Sequence, residues 1–325
     1  MPTTQSPSFF APADPQTFAF EEILYEKRDW VARVSINRPH VYNAYSTRTL
    51  REMSQAFVDA SWDDSVAVLV LTGVGDKAFC TGGDVAEYYE NYTKRPHDYW
   101  KWMGEFQQCL DLLRNLGKPV IARLNGVVAG GGNEFNMACD LAVAAEHCTI
   151  LQVGPKVGSV PCGGATQWLP ITIGDRRARE MLFLCEKITA KQALEWGLVN
   201  RVVPAAELDS CVDELASKLV ERFPECIRYT KQAVNFWKDL SWHTTIGHGR
   251  DWLALHYTSR EPYEGMQAFV EKRPSRIREM REEAARGGSP EFLWGPWVNS
   301  CSGCGARGLP AEHKFCGVCG QPVEP

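Results

Sequence analysis

Residues 21–36 (EEILYEKRDWVARVSI) alternate apolar and polar positions in two short runs about Arg28-Asp29, a period of two that predicts a β-hairpin. Asn37-Arg38-Pro39 closes its second strand. Residues 46–60 (STRTLREMSQAFVDA) then open on a serine cap and keep apolar residues at helical spacing. The unbroken apolar run VAVLVLTG at 66–73 predicts a buried strand, and a helical stretch through Leu116 leads into a further strand, PVIARLNG. Strand and helix alternate in this way to about Val203, which predicts an α/β domain of repeated units over residues 21–205. From 206 to 286 the pattern is wholly helical, with amphipathic stretches at 206–222, 226–238 and 245–258 that must pack on the body or on a neighbouring subunit. The first 20 residues carry four prolines and read as an extended arm. Residues 287–300, rich in Gly, Pro and Trp, read as a linker docked through its tryptophans, ahead of a cysteine cluster at 301–325.

Length changes the picture only slightly. A chain of 325 residues accommodates one large domain and an appendage, since a single core rarely grows past roughly 250 to 300 residues. With 44% hydrophobic and 23% charged residues it can bury a sizeable core. A formal net charge of −5 argues against a nucleic-acid partner. No apolar run reaches the roughly 18 to 20 residues that span a bilayer, and the N-terminal segment lacks a basic stretch followed by an apolar one, so a cytoplasmic location away from membranes is expected. Of twelve cysteines, eight are scattered in apolar contexts where reduced thiols are common, and only the last four form a pattern.

Candidate chemistry begins with two glycine-rich turns. KAFCTGGD at 77–84 follows the strand ending at Thr72, and NGVVAGGGNE at 125–134 follows the strand at 120–124; each then opens a helix. Such turns expose backbone N–H groups that no helical carbonyl can use, so two of them flanking one oxygen would make an oxyanion hole. Glycine-rich turns also occur merely to allow close packing, and the residues alone leave both readings open.

Together, KAFCTGGD, NGVVAGGGNE, the intervening KPVIARLNG and the following ACDLAVAAE resemble the crotonase (enoyl-CoA hydratase/isomerase) superfamily over roughly residues 21–275. The resemblance implies a ClpP-like spiral of ββα units with a C-terminal helical segment. It also implies an acyl-CoA substrate, homotrimers or dimers of trimers, and backbone N–H groups of Gly83 and Gly131 that polarise the thioester oxygen, with Ala78, Cys80 and Asp84 binding substrate. GPKVGS at 154–159 resembles the branch containing 6-oxocyclohex-1-ene-1-carbonyl-CoA hydrolase and 1,4-dihydroxy-2-naphthoyl-CoA synthase, as do YNAY at 42–45, EYYENY at 87–92 and the spacing SVPCGG at 159–164. A cyclic acyl group is then the expected substrate. Gly154 stands where a plain hydratase carries a second catalytic glutamate.

Glu134 is the expected general acid/base, and it needs a pKa raised toward neutrality. Burial would raise it, while a helix N-terminus favours the anion and opposes the rise. Cys162 stands where the two similar enzymes carry an aspartate. Three roles are open to it: lining the pocket, relaying a proton as a neutral thiol, or attacking substrate as a thiolate. Tyr257 matches a tyrosine of the naphthoyl-CoA synthase that reaches substrate across a subunit boundary, although a tyrosine on an amphipathic helix serves equally for core packing. Tyr88, Tyr89 and Tyr92 suit a pocket wall, their faces packing on a planar ring. Arg38, Lys77, Lys272 and Arg273 are candidates for the CoA phosphates, with solvated surface charge as the alternative.

Cys301-x-x-Cys304 and Cys316-x-x-Cys319 form CxxC-x11-CxxC with a glycine after each pair, the pattern of a zinc ribbon. Four thiolates fill a tetrahedral ion, so the zinc is structural; iron or a redox dithiol are the alternatives. His313 lies between the pairs, solvent-exposed or a substitute ligand. The ribbon is also a candidate surface for a protein partner. Three functions follow: water addition to a cyclic enoyl- or oxoacyl-CoA, naphthoyl-CoA synthase-like carbon–carbon bond formation, or acyl-CoA binding without catalysis.

Overall fold

The computed structural model describes residues 12–288, 293 and 297–323. Most of the expected arm lies outside these residues, as do Trp294 and the side chain of Trp297, on which docking of the expected linker rests. The chain divides into two compact units. The larger comprises residues up to Asp84, Trp100–Pro155 and Val160–Arg250; the smaller comprises Val85–Tyr99, Lys156–Ser159 and the chain from Asp251 onward.

Strands β1 (Ile23–Arg28) and β2 (Val31–Ile36) form the expected antiparallel hairpin, its turn one position later than Arg28-Asp29. Asp29 and Trp30 both hold positive φ, the backbone twist that a two-residue hairpin requires. Helix α1 (Thr47–Trp62) starts at Ser46 with a reciprocal capping box: the serine hydroxyl accepts the Thr49 N–H, and the Thr49 hydroxyl accepts the Ser46 N–H. Its buried face is Leu50, Met53, Ala56, Phe57 and Ala60.

Three strand pairs then repeat one plan. They are β3 (Val68–Gly73) with β4 (Ala78–Cys80), β5 (Val120–Leu124) with β6 (Val127–Ala129), and β7 (Leu141–Ala145) with β8 (Thr149–Leu151). Between the first two pairs run α2 (Val85–Asn91) and α3 (Pro96–Arg114). Helix α4 (Gly131–Ala138) follows β6, and α5 (Ala165–Ile173) follows β8. Next come α6 (Asp175–Leu184), β9 (Ile188–Thr189), α7 (Ala190–Trp196) and β10 (Arg201–Val203). The first strand of each pair enters a six-stranded sheet of order β1-β2-β3-β5-β7-β10, and the second enters a four-stranded sheet of order β4-β6-β8-β9. Strand β3 is buried at all six positions, which is why its sequence is an unbroken apolar run. In the smaller sheet β4 and β6 pair in parallel, Ala78 opposite Val127 and Cys80 opposite Val128. The two glycine-rich turns leaving their C-terminal ends therefore lie side by side.

The helical C-terminal segment corrects the expectation at one point. The stretches at 226–238 and 245–258 are not separate: after α8 (Leu208–Val220), a single 33-residue helix α9 (Pro224–His256) runs through both. The run Ser-Trp-His-Thr-Thr at 241–245 is a weak helix former, and packing overrides that weakness. Trp242 is 1% exposed, with its ring centroid 5.0 Å from that of Trp168. Asp239 pairs with the buried Arg114, and the Thr244 and Thr245 hydroxyls donate to carbonyls one turn back. Helices α10 (Arg260–Val270) and α11 (Ile277–Ala285) follow, and strands β11 (Trp297–Ser300) and β12 (Arg307–Pro310) form an antiparallel pair in the cysteine module.

Replacing Trp242 with alanine is expected to lower stability by about 3–5 kcal/mol, because a buried indole leaves a cavity. The urea midpoint of the variant against the parent measures it.

Candidate active site and metal centre

The turn after β4 is held by Tyr45, whose N–H donates to the Gly82 carbonyl at 2.9 Å and whose carbonyl accepts the Asp84 N–H at 2.9 Å. In this one-residue bridge Gly83 lies between the two bonded groups, so its own N–H points away from Tyr45. Gly131 is the first residue of α4, where a helix leaves its N–H groups without helical acceptors. The two turns touch: a side chain placed on Gly82 would come within 3.2 Å of the Gly131 nitrogen. Among the described residues no acceptor takes the N–H of Gly83 or of Gly131.

Glu134 stands in the first turn of α4, 4% exposed. Its Oε1 accepts the Gly163 N–H at 2.7 Å and the Ala165 N–H at 3.1 Å. Burial pushes the Glu134 carboxyl up to about 7, and the Ala165 and Gly163 amides pull against that rise. The opposition expected from a helix N-terminus is thus delivered at hydrogen-bond range by α5, which begins at Ala165 behind Gly164.

Aromatic rings close this region. Tyr45 stacks on Phe106 with centroids 5.2 Å apart and meets Phe135 edge-on at 5.4 Å, while Trp102 lies parallel to Phe106 at 5.6 Å. Glycine is required at two points. A Cβ on Gly131 would stand 2.0 Å from the Tyr45 hydroxyl oxygen; one on Gly163 would stand 2.2 Å from Phe106 Cε1 and 2.4 Å from Glu134 Oε2. The sequence reading assigned no role to Gly163 or Ala165. The signal was present, because Gly163-Gly164-Ala165 is a third glycine-rich turn opening a helix. Nothing local marks Phe106.

Cys162 is buried beside this carboxyl, and burial together with Glu134 pushes its thiol up to about 12. A thiolate is therefore disfavoured at neutral pH. Cys80 is fully buried with its thiol likewise pushed up to about 12 by burial, and the Ala78 carbonyl accepts from the side-chain amides of Asn43 and Asn125. Arg38 is engaged internally: it pairs with Asp84 at 3.0 Å and Glu22 at 3.3 Å, and donates to the Ala44 carbonyl at 2.6 Å. Lys77 is exposed at the end of the turn between β3 and β4. Gly154 begins a short 3-10 turn.

The other sequence candidates belong to the smaller unit. Tyr257 is 1% exposed; its ring stacks on Tyr99 with centroids 3.5 Å apart, and its hydroxyl lies 3.2 Å from the Ser159 hydroxyl. These are the contacts of a packed core tyrosine. Tyr88 is buried with its ring 6.1 Å from that of Tyr92, and Tyr92 meets Tyr99 at 6.3 Å. Tyr89 instead packs on Tyr263 of α10 at 5.8 Å. Lys272 is exposed, whereas Arg273 and Arg276 both bind the buried Glu264, which holds that carboxyl at about 2 although burial alone would raise it.

In the cysteine module the four sulfur atoms lie within 4.8 Å of one another. Cys301 Sγ is 3.6 Å from Cys319 Sγ, and Cys304 Sγ is 3.7 Å from Cys316 Sγ. Four thiolates each ~2.3 Å from one tetrahedral ion are about 3.8 Å apart, so the donor set fits a single metal. The two knuckles are built alike. Gly305 N–H donates to the Cys301 carbonyl and Gly320 N–H to that of Cys316, both glycines at positive φ. Leu309 and Val323 join Cys301 and Cys316 in a small buried cluster. His313 is half-buried rather than exposed, and it stands outside the sulfur group.

A family profile described as enoyl-CoA hydratase/isomerase matches residues 26–279, and the chain belongs to that family. Its α/β body is the crotonase fold, and the four-cysteine module lies beyond the matched residues. Among solved structures, the chain is similar to an enoyl-CoA hydratase from Mycobacterium avium subsp. paratuberculosis K-10 at 26% identity, covering 79% of this chain and 98% of that one with a TM-score of 0.72. It is similar to the enoyl-CoA hydratase of Bacillus anthracis at 31% identity, covering 78% and 98% with a TM-score of 0.64. An enoyl-CoA hydratase subunit I from Geobacillus kaustophilus HTA426 matches at 33% identity, covering 79% and 98% with a TM-score of 0.63. No helix among the described residues is long and apolar enough to cross a membrane.

Because the folded state raises the Glu134 pKa from 4.5 to about 7, it binds that proton more tightly than the unfolded chain does. Stability from this group is fully present below pH 4.5 and is lost as pH rises through about 7. Glu134→Gln removes the dependence, so the stability of the variant relative to the parent is expected to rise by about 3 kcal/mol across that window. Urea unfolding of both proteins at a series of pH values measures it; parallel curves would contradict it.

Proposed function

We propose that this protein adds water to an enoyl- or oxoacyl-CoA whose acyl group is cyclic, resembling 6-oxocyclohex-1-ene-1-carbonyl-CoA. The observation that carries the reading is a buried carboxyl with a pKa near neutrality beside two backbone N–H groups without acceptors. In this reading Gly83 and Gly131 donate to the thioester oxygen and strengthen as it gains enolate charge. Glu134 takes a proton from water as the hydroxyl bonds to the β carbon and the alkene electrons pass to the thioester oxygen. The enolate then collapses, and Glu134 returns the proton to the α carbon, so that one molecule of water is added in all. Where the ring carries a ketone next to the α carbon, a second water then adds to that ketone. The bond between ketone and α carbon breaks with its electron pair passing to the thioester enolate, and the proton goes to the α carbon, leaving a carboxylic acid. The cyclic substrate rests on the likeness of GPKVGS and EYYENY to the ring-cleaving branch. Cys162 lines the site as a neutral thiol, Tyr257 serves in packing, and Lys77 meets the CoA phosphates.

The likeness of GPKVGS at 154–159 to the naphthoyl-CoA synthase supports carbon–carbon bond formation as the second reading. A panel of cyclic and linear enoyl-CoAs in heavy-oxygen water, with mass spectrometry of products, separates the two. Label in the product supports hydration, an unlabelled cyclised product supports bond formation, and tight binding without turnover rejects both. Glu134→Gln is expected to lower kcat by roughly a hundredfold or more with binding of the CoA ester retained; near-normal turnover would remove Glu134 from the mechanism.

We further propose zinc as the metal of the cysteine module and trimers, or dimers of trimers, as the assembly. Four thiolates suit zinc, which would hold the module folded. Tyr229, Phe236, Trp237 and Leu240 on α9 are exposed apolar residues that subunit contact would cover. Elemental analysis is expected to give one zinc per chain, and a metal-free module with native dispersion in its NMR spectrum would reject the assignment. Sedimentation as a monomer would reject the assembly.

A further inference from the structure

Helix α9 carries a glycine that neither its backbone nor its packing requires. Gly249 lies well inside the helix, where glycine costs stability relative to alanine. Its φ is not positive, so any residue could adopt that backbone. Apart from its own helix backbone, a Cβ on Gly249 would find one heavy atom within 4 Å among the described residues. That atom is the Cys162 sulfur at 3.5 Å, an ordinary contact. Gly104 of α3 is the opposite case: a Cβ there would stand 2.5 Å from Arg250 Nη2, so Arg250 can cross α3 only over a glycine. Gly249 is nonetheless half-buried, and open space beside a half-buried position is a recess rather than an outer surface.

The recess is held in place near the Glu134 carboxyl. Gln167 Nε2 donates to Thr245 Oγ1 at 3.0 Å. Arg250 Nε donates to the Trp100 carbonyl at 2.7 Å, and its guanidinium lies 3.5 Å from the Trp100 ring centroid. These contacts pin α9 to α5 and to α3 on either side of Gly249. Cys162, opposite Gly249, is followed by Gly163, where a side chain would meet Glu134 Oε2 at 2.4 Å. Oε1 of that carboxyl is taken by the Gly163 and Ala165 amides, whereas Oε2 has no donor among the described residues and is not sealed from solvent. Glu134 thus offers its free oxygen next to the turn whose cysteine faces Gly249.

From this arrangement we propose that Gly249 is a specificity-determining residue: the space it leaves against Cys162 receives the acyl group of the CoA ester, and its width admits a ring. The proposal rests on the reading that Glu134 acts on a bound acyl-CoA and names where the far side of that acyl group lies. A side chain on Gly249 would enter the recess beside Cys162 Sγ, excluding a ring before it hinders a short straight chain. The helix gives up stability at this position in return for room.

The test uses two probes, cyclohex-1-ene-1-carbonyl-CoA and crotonyl-CoA, with dissociation constants measured by calorimetry in the Glu134→Gln chain so that binding is read without turnover. Adding Gly249→Leu is expected to weaken the cyclic ester about tenfold or more relative to the crotonyl ester. Gly249→Ala carries the test if Gly249→Leu does not fold. It is expected to weaken the cyclic ester selectively, by roughly threefold or more, and to raise the urea midpoint, since the helix gains an alanine without a clash. Equal weakening of both esters, or of neither, overturns the proposal. So does a fall in the urea midpoint of Gly249→Ala, or a change in sedimentation that puts a neighbouring subunit in the recess. Normal turnover by Glu134→Gln would instead overturn the catalytic reading, and the ratio of the two esters' kcat/KM then decides the role of Gly249. A parent chain that binds neither ester overturns both.

Discussion

The site depends on one balance: a carboxyl removed from water yet held by two amides. Desolvation alone would lock Glu134 in its neutral form, and amides alone would lock it as an anion. Each is present because of a separate feature of the chain. The amides come from the turn at Gly163 to Ala165, and the dryness comes from aromatic rings contributed by α3, α4 and the segment before α1. Proton exchange near neutrality requires both, and neither element can be shifted without moving the other through Gly163.

The fold supplies this balance through its repeat. Each strand pair contributes one strand to each sheet, so successive turns arrive along one edge of the four-stranded sheet. Parallel pairing of β4 and β6 puts Gly82 against Gly131, and the next repeat brings the turn that grips Glu134. Three glycine-rich turns, each opening toward a helix, thereby converge.

What the sequence made legible was local. The hairpin, the Ser46 cap, the apolar β3 run, the glycine-rich turns and the paired cysteines each depend on residues a few positions apart, and each is found where spacing puts it. The continuity of α9 was not legible, because Trp242 is stabilised by Trp168, far away in the chain. Arg38 looked free to meet phosphate, but the acids that neutralise it, Glu22 and Asp84, come from segments whose approach only the tertiary structure defines. The stack of Tyr257 on Tyr99 and its bond to Ser159 likewise join segments whose approach only the tertiary structure defines.

The N–H groups of Gly83 and Gly131 that lack acceptors among the described residues are main-chain groups, fixed by the register of Ala78 against Val127 rather than by any side chain. Side chains around Glu134, such as Cys162, can therefore change in volume, polarity or charge while these two amides keep their places, because backbone register and side-chain identity are written separately in the polypeptide.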